Sequence, residues 1–220
     1  MTFPHGYDDD CAFCTAFRFG PTHPNSVYLD DATARHANWT IFEDPNVVVL
    51  PTIGPVAPGH TMVLAREHYL SFAHVSPDLA RYAESVAITL SGKLSAEFGD
   101  VIWFEHGPMS EKATGGSCTS HAHLHCVPVG DVDISGQINE RLTGRRIESF
   151  ADLAQQAERE QPYLYYRTQG GEHWVYDVTV DLPCQFLRRV TATALGNGDW
   201  DWLACPHPDV VHQTITAVHW

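Results

Sequence analysis

Apolar and β-branched residues along this chain fall into short runs broken by turn-forming stretches. Trp39 to Phe42, Val47 to Pro51 and Thr61 to Leu64 are such runs, separated by "EDPN" and "IGPVAPGH". Runs of this length with proline and glycine between them predict a meander of antiparallel strands. The period then changes. From Ser76 to Phe98, Leu79, Tyr82, Val86, Leu90 and Leu94 recur at helical spacing, with Ser76 placed to cap the first turn and Pro77 inside it, which predicts a long helix. "DVIWFEHG" is the next expected strand, a glycine-containing loop spans Pro108 to Ser117, and a further strand reaches Val129. Ahead of these elements, residues 1–30 are rich in Asp, Pro, His and Gly and are expected to form a loop-dominated arm around Cys11-Ala12-Phe13-Cys14.

After Gly130 the character changes. "SFADLAQQAERE" predicts a helix, "PYLYYR" and "HWVYDVTV" predict two strands joined across the glycines of "TQGGE", and "LPCQFLRRVTATAL" predicts a helix opened by Pro183. The expected class is α+β. An antiparallel sheet with a long helix occupies residues 1–130, and a mixed α/β extension, residues 131–220, packs on it.

Composition narrows the possibilities. A chain of 220 residues, 44% hydrophobic and 18% charged, is long enough for a full core. No stretch approaches the roughly 20 apolar residues of a membrane span. The start MTFPHGYDDDC lacks the basic and apolar regions of a secretion leader, so a cytoplasmic protein is expected. The net charge of −14 argues against general affinity for nucleic-acid backbones, which needs clustered Lys and Arg. A small charged ligand in a locally positive pocket stays compatible with it. The six cysteines do not read as a disulfide framework, and Cys11 and Cys14 form a C-x-x-C.

The chemistry concentrates in "GGSCTSHAHLHCVP", where His121, His123 and His125 occupy every second position. On a strand these three point one way while Ala122, Leu124 and Cys126 point into the core. Three imidazoles in a row are costly when buried and without purpose when exposed, so the spacing calls for a metal, a phosphate or proton transfer. Zinc competes with phosphate here, because alternating histidines supply two or three of its ligands.

The run His121-Ala122-His123-Leu124-His125-Cys126-Val127 resembles the signature of the histidine triad superfamily. The resemblance extends to "GPVAPGHTMVLAREH" and to the C-x-x-C, and covers about residues 8–130. It implies an α+β fold, a homodimer, and action on the α-phosphate of a small nucleotide substrate by hydrolysis or nucleotidyl transfer. It assigns the nucleophile to His123, whose second ring nitrogen is expected to hydrogen-bond the main-chain carbonyl of His121. His125 is expected to bond phosphate oxygens and assist the leaving group, and His60 to lie behind the site. Gly116, Ser117 and Cys118 match the loop that cradles phosphate. Thr52 and Ile53 fall at the nucleoside position. Family transferases often have glutamine in place of His125, which favours hydrolysis. By resemblance to zinc-bearing members, Cys11, Cys14, His68 and His121 would hold a structural zinc.

Three positions depart from the family pattern. Thr52 stands where an aspartate commonly binds ribose, Glu105 where asparagine is common, and Cys118 where a hydroxyl is usual; Ser117 or Thr119 would then supply that hydroxyl. These changes favour an unusual substrate, or a protein that keeps the pocket and binds a nucleotide or phosphometabolite without turning it over. A zinc-dependent interaction scaffold is a third class. In the extension, Gln185, Arg188 and Arg189 offer two readings, guanidinium groups turned toward anionic phosphates or a solvated helix face, of which the second is expected; Tyr163, Tyr165, Tyr166, Trp174 and Tyr176 offer a stacking surface for a base or core packing, of which core is expected, and Trp200, Trp202 and Trp220 are expected to act as packing groups.

Overall fold

The computed structural model describes residues 6–26, 39–110, 116–117 and 119–220. Among them, an eight-stranded sheet organises the chain. Its first strands are β1 (Phe42–Glu43), β2 (Val47–Pro51) and β3 (Thr61–Ala65), antiparallel in register as the meander predicts. The long helix is α2 (Pro77–Phe98); its Ser76 hydroxyl accepts the Leu79 N–H at 3.2 Å and Gly99 ends it. Strands β4 (Val101–Gly107) and β5 (His123–Pro128) follow.

The segment after Gly130 enters the same sheet. Its elements are α3 (Ser135–Asn139), β6 (Gly144–Ile147), α4 (Ala154–Glu158), β7 (Tyr163–Arg167), β8 (His173–Asp177), α5 (Phe186–Ala194) and α6 (Pro208–Ala217). Strand β7 pairs antiparallel with β4, giving the order β1-β2-β3-β5-β4-β7-β8-β6. The extension is therefore joined to the first part by a continuous hydrogen-bonded ladder as well as by packing. Tyr163, Tyr165, Tyr166 and Tyr176 are fully buried in the core.

The two faces of the sheet bury different elements. Val47, Val49, Val63, Trp103, Leu124 and Cys126 pack with Ala83, Val86, Leu90 and Leu94 of α2. On the other face, Val48, Leu50, Met62 and Leu64 meet the N-terminal segment, while Ile102, Phe104, Val127, Leu164 and Tyr166 meet Phe186 and Leu187 of α5. The N-terminal arm corrects one expectation. It contains a helix, α1 (Ala12–Phe19), because Phe13, Cys14 and Ala16 share a side that packs onto the sheet and Gly20, at φ 87°, closes its end. Cys11, Cys14, Cys126 and Cys205 are free thiols, and Cys184 is disulfide-bonded. No helix among the described residues is long and apolar enough to cross a membrane.

Candidate active site

Strand β5 carries His123 and His125 on the face that α1 and α5 cover, while Ala122, Leu124 and Cys126 are buried in the α2 core. Register fixes their neighbours. His123 lies opposite Leu64, and His125 lies between Met62 on β3 and Phe104 on β4. The Phe104 ring stacks on His125 with centroids 4.7 Å apart.

The hydrogen bonds determine the tautomers. The Val56 N–H donates to His60 Nδ1 at 3.2 Å, which leaves the His60 proton on Nε2. That N–H donates to His125 Nδ1 at 2.9 Å, so His125 carries its own proton on Nε2. His123 donates its Nδ1–H to the His121 carbonyl at 2.6 Å, which leaves Nε2 with a lone pair. His106, on β4, accepts the Leu187 N–H at 3.1 Å through Nε2 and so satisfies a donor from the first turn of α5.

Burial keeps these rings neutral. Desolvation lowers His123 to about 4 and His106 to about 3, and holds His60 and His125 well below the usual imidazole range, with the Arg188 charge adding in the same direction. A neutral His123 has the lone pair a nucleophile requires, and a neutral His125 still has an N–H to donate.

The His106, His123 and His125 rings line a pocket that encloses about 590 Å³ of space when its solvent-facing mouth is included. Gly116, Ser117 and Thr119 form one wall, Thr52 and Ile53 another, and Phe13 and Met62 add apolar surface. Gly116, at φ 83°, turns the loop at the cavity edge, and its carbonyl accepts the Gln185 N–H at 3.0 Å. The extension supplies the remaining side: Gln185, Arg188 and Trp202. Arg188 is 4% exposed. Burial lowers its pKa to about 10, with Asp201 opposing, and it stays charged near neutral pH.

The cavity thus gathers His123, His125, Gly116, Ser117, Thr52 and Ile53. His60 stands behind His125, and the His121 ring turns away toward Cys11 and Cys14. Cys118 lies outside the described residues. Glu105 requires correction as a substrate-binding candidate. It is fully buried on the α2 face, where its carboxyl accepts the Phe72 N–H at 2.8 Å and pairs with the Tyr163 hydroxyl at 2.6 Å. Its neighbour His106 takes the place in the cavity, because adjacent strand residues face opposite ways. The expectation of an exposed arginine face fails at Arg188, and Trp202 lines the cavity instead of only packing. Sequence reasoning passed over His106, whose signal was the alternation within "WFEHG"; Arg188 and Trp202 carried none beyond their residue type.

Beside the cavity, Cys11, Cys14, His68 and His121 are all buried, with ligand atoms within 4.8 Å of one another. The Sγ–Nδ1 separations are 3.4 and 3.7 Å from Cys11 and Cys14 to His121, and 3.5 Å from Cys14 to His68. A tetrahedral zinc with ordinary Zn–S and Zn–N bonds has an S–N edge of about 3.6 Å, so the donor set fits that ion. The outer partners fit as well. His121 Nε2 donates to the Ala65 carbonyl at 2.8 Å, and His68 Nε2 lies 3.6 Å from the Asp8 carboxylate, which leaves both Nδ1 atoms to face the thiols. Hydrogen bonding to Cys11, and then to His121 and His68, holds the Cys14 thiol below its usual range.

Residues 35–131 match the family model described as the HIT (histidine triad) domain. At 26% identity over 111 residues, 49% of this chain and 76% of the relative, the chain is similar to an uncharacterized HIT-like protein of Saccharolobus solfataricus. Among solved structures it is similar to a HIT family protein from Bacillus anthracis, at 24% identity over 69% of this chain and 94% of that one, with a TM-score of 0.42. It is also similar to a Zn-bound histidine triad family protein from Mycobacterium smegmatis, at 22% identity over 55% and 81%, with a TM-score of 0.35.

Proposed function

We propose that this chain, whose residues 35–131 match the HIT domain model, is a hydrolase that cleaves a nucleotide conjugate at its α-phosphate through a covalent nucleotidyl-histidine on His123. One observation carries the reading: the 2.6 Å bond from His123 Nδ1–H to the His121 carbonyl, which leaves the Nε2 lone pair on a ring that lines the cavity. Nε2 attacks phosphorus, the N–P bond forms, and the phosphoanhydride or phosphoramidate bond to the leaving group breaks. The His121 carbonyl stabilises the positive charge that develops on the ring. His125, held with its proton on Nε2 by His60, donates toward the phosphate and leaving-group oxygens. Main-chain N–H groups near Gly116 and Ser117 orient the phosphoryl oxygens. Water then attacks phosphorus, the N–P bond breaks, and a nucleoside monophosphate is released.

The Cys11, Cys14, His68 and His121 set we assign to zinc in a structural role. When bound, the ion supplies a cross-link between α1 and the residues that lead into β5. His121 contributes its ring to that cross-link and its carbonyl to the nucleophile.

The test is a rapid-quench reaction with dinucleoside polyphosphates and nucleoside phosphoramidates, followed by mass analysis of peptides. A nucleotidyl adduct on His123, absent in His123→Ala, supports the reading. Turnover without an adduct overturns the covalent route. Binding without turnover on any substrate favours a nucleotide-binding protein, the reading that the altered positions Thr52 and Cys118 motivate.

A further inference from the structure

Arg188 is a buried cation with no carboxylate partner among the described residues. Its Nε donates to the Trp200 carbonyl at 2.9 Å and to the Gln185 side-chain oxygen at 3.1 Å, its Nη1 reaches the Thr52 hydroxyl at 3.5 Å, and its Nη2 donates to the Gly54 carbonyl. All four acceptors are neutral. The Asp201 carboxylate acts on it only at longer range, and bonds instead to the Gln185 amide and the Leu203 N–H. Guanidinium has five N–H donors in a planar fork, so two are left over after these contacts. They belong to a side chain that lines the cavity containing His123 and His125.

An isolated charge is expensive to bury, and this one sits where its field makes the neighbouring histidines harder to protonate. The contacts to Thr52 and Gly54 tie the guanidinium to the wall formed by the end of β2. Gly54 is also pressed against the extension: at φ 60° it lies so near the Trp202 backbone and the Cys205 carbonyl that a side chain there would collide with both. Main-chain bonds secure the same contact, since the Gly54 N–H donates to the Pro206 carbonyl at 3.0 Å. The extension is therefore braced to hold one arginine in one place.

We propose that Arg188 binds an oxyanion of the substrate through its two remaining donors, so that the C-terminal segment makes the cavity selective for phosphorylated over uncharged ligands. The inference deepens the hydrolase reading and rests on it for the identity of the ligand. It does not rest on it for the ligand's charge, which follows from the arginine alone. Arg delivers such recognition bidentately, and Lys does so only as a point charge.

The experiment is calorimetric titration of the full chain with AMP, adenosine and inorganic pyrophosphate, comparing native protein, Arg188→Lys and Arg188→Met. The expected result is a native preference for AMP over adenosine that falls at least tenfold in Arg188→Met and partway in Arg188→Lys, with adenosine affinity little changed. If Arg188→Met does not fold, the ratio is read from Arg188→Lys, and a ratio equal to that of native protein overturns the proposal. Equal losses for AMP and adenosine also overturn it, since they indicate a purely structural arginine. The two readings separate cleanly. Arginine-dependent binding of pyrophosphate without binding of either adenine ligand keeps the oxyanion role and removes the nucleotide. A nucleotidyl adduct on His123 with an unchanged AMP-to-adenosine ratio keeps the hydrolase and removes the arginine.

Discussion

His60 Nε2 lies 2.9 Å from His125 Nδ1, and the direction of that bond decides what His125 presents to the cavity. Val56 N–H fills His60 Nδ1, so the proton runs from His60 to His125 and leaves His125 a donor at Nε2. Replacing His60 by Ala lets the His125 ring adopt either tautomer. The expected outcome is a loss in kcat of about tenfold to a hundredfold with a smaller change in KM, because the lost interaction serves the transition state. Steady-state kinetics on a substrate with a poor leaving group checks it, and a larger effect on KM than on kcat contradicts the assignment.

His123→Ala is expected to remove turnover while the far-UV spectrum and bound metal are retained. The ring is adjacent to the group formed by Cys11, Cys14, His68 and His121 but contributes no ligand atom to it. Activity assay, circular dichroism and elemental analysis on one preparation decide the matter; loss of metal together with activity would place His123 in the cluster.

Glu105 gives a pH dependence that is independent of catalysis. Desolvation raises its carboxyl from 4.5 to about 8, against the bonds from Tyr163 and Phe72 that favour the ionised form. The folded state therefore holds the proton more tightly than the unfolded chain. Its contribution to stability is full below about pH 4.5 and is lost as pH rises through about 8. Denaturant midpoints measured across this window should fall with pH in the native protein, and Glu105→Gln, which stays neutral, should flatten the slope. An unchanged slope in the variant would assign the dependence to another group.

Removing the metal should loosen α1. With free metal at about 100 to 1,000 times Kd, binding adds about 2.7–4.1 kcal/mol, and for a chain of this size that corresponds to roughly 5–16 °C in Tm. Chelation, or Cys14→Ser, is expected to lower Tm by that order and to reduce the metal content from one ion per chain. A Tm insensitive to both would mean that the four side chains serve as ordinary packing.

Gly54→Ala is expected to cost about 2 kcal/mol and to raise KM, since the new methyl meets the Trp202 backbone and the Cys205 carbonyl, at 2.8 Å, where φ is already 60°. Chemical denaturation together with substrate titration measures both. Full stability with native KM would show that the segment near Trp202 yields without consequence.

What the sequence discloses follows the range of the forces involved. The meander, helix α2 and the row of histidines are legible because strand alternation, helical spacing and an N-cap act over a few residues. Glu105 and His106 illustrate the limit. Alternation puts them on opposite faces, but only the pairing of Phe104 with His125 tells which face holds the cavity, and that register is a tertiary fact. Arg188 lies further out of reach, since its contacts to Thr52 and Gly54 span 136 and 134 residues and nothing in "QFLRRV" distinguishes it from Arg189. Helix α1 escaped notice for the opposite reason. Its eight residues are too few to establish a period, and the sheet beneath Phe13 and Cys14 is what makes it helical.

The pairing of β7 with β4 also sets an order of events at the ribosome. All seven residues of β4 end up buried, yet its partner Tyr163–Arg167 is synthesised only after some sixty further residues. During that interval the nascent chain presents an apolar strand with one side unpaired, the kind of edge that recruits other chains. A polypeptide halted near residue 130 would contain His123 on β5 and lack β7, the strand that covers β4. Aggregation of such a fragment, and its rescue by residues 131–220 supplied in trans, is the behaviour this topology imposes.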